Sequence, residues 1–277
     1  MTQSRNTDPY SDPRAFYGSE LCRLRSEAGL TQAQLGERVF CSGSYIGQFE
    51  TMLRLPQLEL SQLMDDVLGS GQHLQRLCRL ARKAKGFADY AVDALDLEPR
   101  AKAISEYSPV LVPGLLQTEG YAHAITSTAQ PFAASGTVEH YVQARMERQR
   151  LLDDPSHPML TSVLQESVLR SHIGGSTVMR QQIQHLIEMA QRTRVVIQVL
   201  PFTAMSEAFM DSMVSLMNFC DSPPVVYTEG GQTGRLIEEP GLVEHNGRLY
   251  DLVRTAALSR AASLEFFESM AKEYATL

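Results

Sequence analysis

The spacing of two helix-starting residues constrains this chain more than any other feature. In residues 29–50 (GLTQAQLGERVFCSGSYIGQFE), Thr31 is suited to cap a helix that turns Leu35 and Val39 to one side, and Ser42 is suited to cap another only three residues after Val39. Two helices joined so tightly must cross steeply. The second would bury Ile46 and Phe49 and present Gly43, Ser44, Gly47 and Gln48 on its other side. Arg54 and Pro56 follow where the chain must turn again. A plain helical bundle with ordinary caps would show the same periodicity, so both readings stand at this level.

The surrounding sequence agrees with a small helical unit. Leu21, Leu24 and Ala28 form an apolar stripe before the segment, and Leu60, Leu63, Met64 and Val67 form one after it. Gly69 to Gly71 stop that helix, and Leu74, Leu77, Leu80 and Ala81 mark a fifth, with Arg79, Arg82, Lys83 and Lys85 at its end, where the helix dipole favours cations. Residues 1–13, polar and carrying Pro9 and Pro13, read as a flexible arm. At about 150 residues per domain, 277 residues predict a second domain. The charge divides there: residues 1–85 hold 11 Lys and Arg against 9 Asp and Glu, net +2, and the remainder holds 14 against 23, net -9. With 43% hydrophobic and 21% charged residues, the chain has the composition of packed domains rather than of a disordered one.

With its Thr31-Gln32 cap, Ala33, Leu35, Ser42, Ser44-Tyr45-Ile46 and the pair Phe49-Glu50, the segment resembles the lambda-repressor-like, Xre-type helix-turn-helix family, over residues 16–68. The resemblance implies double-stranded DNA as a partner. It also implies a phosphate contact at Gln32 and base or backbone contacts from Ser42, Gly43, Ser44, Tyr45, Gly47 and Gln48, with Arg54 as a further DNA contact. Two residues depart from the family pattern. Phe40 and Met52 stand where glycines usually serve positions that tolerate positive φ, so either the turns differ or apolar contacts compensate. No Lys or Arg lies between Arg38 and Arg54, which favours two copies acting together as a homodimer.

Beyond residue 86 the sequence predicts a helix over 87–108, an extended stretch broken by Pro109 and Pro113, a short helix starting near Thr118, which Thr118 can cap, and helices over 137–152 and 176–190. Strands are expected over 159–164, 195–200, 212–219, 225–228 and 235–237, before a helical end with a break near Ser259. The fold class is an N-terminal all-α helix-turn-helix bundle over 14–85 followed by a larger α+β domain over 86–277. Segments at 106–122, 145–149, 165–170, 179–183 and 197–202 look like the domain of unknown function that follows such a helix-turn-helix in many actinobacterial regulators. That likeness implies a regulator with a small-molecule effector or a small regulatory protein as partner. Arg145, Arg148 and Gln149 share one helical face and point to a partner such as Glu166, forming either an effector pocket or a structural clamp.

Other functions find little support. Cys22, Cys41, Cys78 and Cys220 lack metal or redox spacing, the seven histidines form no ligand set, and no phosphate-binding or nucleophile-elbow motif occurs. Gly230 to Gly234 read as a hairpin loop rather than a phosphate cradle, and Glu166 with Glu229 would need the fold to unite them. The expectation is a cytoplasmic, non-enzymatic regulator with no cofactor, metal or membrane span. The alternative is a protein-interaction module without direct DNA contact.

Overall fold

The computed structural model describes residues 12–83, 90–153, 158–231 and 233–276. The chain divides into two compact units, Met1–Asp96 and Leu97–Leu277. In the first, the helices are α1 (Pro13–Glu27), α2 (Gln32–Arg38), α3 (Gly43–Glu50), α4 (Leu58–Leu68), α5 (His73–Lys83) and α6 (Val92–Leu97). Most of the expected arm lies outside the described residues. Its last two belong to α1, because Asp12 caps the helix by accepting the Arg14 N–H at 3.0 Å and Pro13 occupies the first helical position.

The core of this unit is Tyr17, Leu21, Leu35, Ile46, Phe49, Met64 and Leu74, all fully or almost fully buried. The Tyr17 hydroxyl meets Ser61 Oγ at 3.0 Å inside it. Asp65, near the end of α4, is buried because its carboxylate accepts the Leu74 and Gln75 N–H groups at 2.9 and 3.0 Å and so caps α5. By its contacts the first unit extends to Asp96. The buried pair Arg82 with Asp93, at 3.2 Å, and the half-buried pair Arg14 with Asp96 tie α6 to the helical unit.

The second unit is built on a six-stranded sheet, β1 (Ala103–Ser108), β2 (Met159–Gln165), β3 (Val195–Leu200), β4 (Met213–Asn218), β5 (Val225–Gly230) and β6 (Thr233–Ile237), in the order β3-β2-β1-β4-β5-β6. β1, β2 and β3 are parallel, and β4, β5 and β6 continue antiparallel. Its helices are α7 (Glu119–Ala129), α8 (Thr137–Gln149), α9 (Glu166–Arg170), α10 (Ser176–Ala190), α11 (Pro240–Ala256) and α12 (Arg260–Thr276). One face of the sheet packs Tyr107, Val163, Val214 and Val226 against Val243, Tyr250 and Val253 of α11. The outer edge of β3 is closed where Val199 accepts from the Leu258 N–H at 2.8 Å and donates to Ser263 Oγ at 3.1 Å.

The expected strands and the long helices form. The helix expected over 87–108 does not: its first three residues lie outside the described ones, and the rest is α6, a 3-10 turn at Glu98–Arg100 and β1. β1 is central, flanked by β2 and β4 and buried on both faces, so it lacks the alternation that reveals a half-buried strand. α9 was also unexpected, and α2 spans two turns.

Both turns beside α3 keep the left-handed conformation despite their side chains, with φ of 59° at Phe40 and 62° at Met52. Met52 is compensated, since it packs against the core, but Phe40 is 89% exposed and gains no contact for its strain. A left-handed L-residue costs about 1 to 2 kcal/mol, and glycine's extra chain entropy returns part of that. Phe40→Gly is therefore expected to stabilise the protein by about 1 kcal/mol; a thermal unfolding midpoint no higher than that of the parent contradicts this account.

Candidate functional site

The geometry around α3 is set from its two ends. At its start Ser42 accepts the Tyr45 N–H at 3.3 Å, and Thr31 and Gln34 form a reciprocal capping box at the start of α2. At its end the Glu50 carboxylate, with a side chain 6% exposed, receives Arg25 on both oxygens and the Gln32 amide at 2.7 Å. Arg25 also donates to the Leu30 carbonyl at 2.7 Å. One carboxylate thus joins α1, the start of α2 and the end of α3. Glycine makes the helix crossing close: a Cβ on Gly43 would fall 2.8 Å from Ala33 Cα.

These contacts sort the residues expected at DNA. Ser42 and Ser44 are exposed, with hydroxyls 3.2 Å apart, and Gln32 is exposed while lying across Gly47. Gly47, Gln48 and Tyr45 are half-buried on the same short helix. Gly43 is partly exposed, but its lack of a side chain is explained by its packing on Ala33. Arg54, expected as a further DNA contact, turns inward. It is 7% exposed, with its guanidinium 4.6 Å from the centre of the Tyr45 ring, whose edge meets Phe49. Its charge also acts inward, lowering the pKa of Asp93 against the dominant upward effect of burial.

In the second unit, Arg145, Arg148 and Gln149 do converge, but on the turn before α7 rather than on Glu166. Gln149 donates to the Gly114 and Gln117 carbonyls at 2.9 and 2.6 Å, and Arg145 to Gln117 Oε1 at 3.1 Å. Arg148 places two nitrogens on the Glu98 carboxylate, each at 2.6 Å. Glu166 serves elsewhere. As the first residue of α9 it accepts from Arg170 one turn on, at 2.7 Å, and from the Phe202 N–H at 2.9 Å. The arrangement is that of a clamp, with each of the three α8 side chains engaged by the protein. Glu229 bonds to the Tyr227 hydroxyl at 2.8 Å, and Gly230 and Thr233 pair in the β5–β6 hairpin.

The group that sequence reasoning missed is Glu106, in the middle of β1 and 1% exposed. Its only signal was a carboxylate within the otherwise uncharged run 103–117. Burial pushes its pKa up from 4.5 to about 7, the charges of Glu98 and Glu229 push the same way, and the charge of Arg148 and a hydrogen bond from Ser215 oppose. Separately, a solvent-open groove of about 710 Å³ runs along α10 and α12, with Arg180, Lys272, Glu188 and Glu268 in its walls.

A compact helical unit whose short α3 is capped by Ser42 and held by Glu50 defines a helix-turn-helix protein. A helix-turn-helix domain profile matches residues 17–78, and the profile of a domain of unknown function (DUF5753) matches residues 91–269. The second match spans well over half of the chain, which belongs to the DUF5753 family and carries the helix-turn-helix domain ahead of it. No curated protein and no solved structure matches it. The helix-turn-helix domain points to a DNA-binding regulator. Among the described residues, no helix is long and apolar enough to cross a membrane.

Two outcomes test the buried charges. Arg148→Ala would leave Glu98 buried without its counter-ion and is expected to cost about 3 to 5 kcal/mol of stability, read as a fall in the denaturant midpoint; an unchanged midpoint refutes the clamp. For Glu106, the raised pKa contributes stability that is complete below pH 4.5 and lost as pH rises to about 7. The loss is on the order of 3 kcal/mol. Glu106→Gln should flatten this part of the stability profile, and an identical profile in both proteins refutes the assignment.

Proposed function

We propose that the protein is a transcription regulator that reads operator DNA with α3 and is controlled through its second domain. The observation that carries the first half is the pairing of an exposed Ser42, Ser44 and Gln32 surface with a rigid mount at Glu50. Side chains at the start of a recognition helix can reach base edges in the major groove, and a fixed mount keeps them in register with the backbone phosphates. With Arg54 turned inward, the interface has few cations, so one copy lacks the charge to hold a site. Two copies on one operator supply the remainder, which makes a homodimer the working species. The DUF5753 domain provides the control element, by pairing copies and answering a small molecule or a small partner protein in the cytoplasm. Neither domain needs catalysis for this role.

Selecting bound fragments from random-sequence DNA tests the reading. The expected result is one recurring site with two half-sites about 34 Å apart, or a multiple of that. Gln48→Ala and Ser44→Ala should then relax discrimination by about 1 to 3 kcal/mol per lost base contact. Arg54→Ala should act chiefly by lowering the melting temperature. Recovery of no preferred sequence favours a protein-interaction module and overturns DNA reading.

A further inference from the structure

The two edges of the sheet differ. On β3 the outward groups of Val199 are taken up by Leu258 and Ser263, whereas β6 lies at the opposite edge with no strand beyond it among the described residues. The alternation of the ladder fixes which of its groups are free. Gly230 and Thr233 pair across only two intervening residues, and such a closing pair exchanges its backbone hydrogen bonds. Thr228 with Arg235 and Val226 with Ile237 repeat this in steps of two, so the N–H and C=O groups of Gly234 and Leu236 point away from β5. Neither residue has another partner for them among the described residues. Both are part-exposed, and Arg235 between them is exposed, with no ion-pair partner among those residues. A Cβ on Gly234 would fall 2.3 Å from the Tyr227 hydroxyl, so glycine lets β6 lie close to β5 there. An open row of backbone groups is a template for another strand.

We propose that β6 receives an extended segment of a partner protein as a seventh strand, with an apolar residue opposite Leu236 and, next to it, an acidic residue opposite Arg235. The added strand continues the antiparallel order of β4, β5 and β6. Gly234 and Leu236 each exchange two backbone hydrogen bonds with it. Arg235 falls at the intervening position, where opposed side chains come closest and opposite charges are favoured. Of the carboxylates nearby, Glu229 bonds to the Tyr227 hydroxyl and Glu239 caps α11, so neither neutralises Arg235. A second copy of this chain fits the edge poorly. The two-fold register that pairs Gly234 with Leu236 of the second copy sets Arg235 directly against its own counterpart, and like charges so placed repel. The edge deepens the reading that the second domain answers a small partner protein, and it rests on that reading.

The test pans a library of random ten-residue peptides on the full-length protein and measures the enriched peptide by fluorescence anisotropy. The expected peptide carries an apolar residue followed by an acid. Leu236→Pro removes an outward N–H and leaves the bonds to β5 in place. It should weaken the peptide about tenfold or more at an unchanged melting temperature. Panning Arg235→Glu should select a basic residue where the parent selects the acid. No enrichment, or a peptide that binds both variants like the parent, overturns the proposal. Self-association of the parent that Leu236→Pro abolishes also overturns it, because the edge would then join two copies. Should Leu236→Pro fail to fold, the reversal by Arg235→Glu still decides. These outcomes separate from those of the control reading. A peptide that seats on the edge without changing operator binding upholds the edge and defeats control through it, whereas no enrichment beside intact operator selection defeats the edge alone.

Discussion

The geometry of the reading head depends on the Glu50 carboxylate. It is nearly buried, and it is stable there because Arg25 and Gln32 satisfy it from two other helices. A buried carboxylate without such partners would be strongly unfavourable, so the packing of α1, α2 and α3 is coupled to one ion pair. The exposed Ser42 and Ser44 inherit their positions from it. The same clamp holds the Gln32 amide, which leaves that residue at the surface but not free to swing.

The second domain repeats the strategy with more charge. Arg148 and Glu98 form a two-pronged buried pair, and Gln149 with Gln117 satisfies carbonyls of the irregular turn that precedes α7. That turn contains Pro113 and cannot supply all of its own hydrogen bonds, so side chains from α8 complete it. Glu106 is the exception in this network. It is a buried acid whose surroundings add further negative charge, and burial raises its pKa to about 7, so that a large part of it keeps its proton near neutrality.

Legibility varied with how local each signal was. Thr31, Ser42 and Thr118 announced helix starts because a cap is a contact between residues two or three apart. The β5–β6 hairpin was marked by its glycines, and β2 and β3 by short apolar runs. β1 was misread as helix because a central strand buried on both faces shows no alternation, and only its pairing with β2 and β4 makes it a strand. The α8 face carrying Arg145, Arg148 and Gln149 was visible from spacing, but its partner was not: Glu98 lies 50 residues away along the chain.

By itself the sequence determined the two-part architecture, the helix-turn-helix segment and the helix face on which the arginines lie, since caps, turns and periodicity act over a few residues. Tertiary structure alone decided that Arg54 turns inward onto Tyr45, that Gly43 exists to let α3 approach Ala33, and that Phe40 bears a left-handed backbone while exposed. It also decided that Glu166 and Arg148 never meet and that Glu106 lies between two buried serines. The physical reason is common to all of these. Burial and charge pairing depend on which distant segments share a small volume, and that is set by the packing of whole elements rather than by any local pattern.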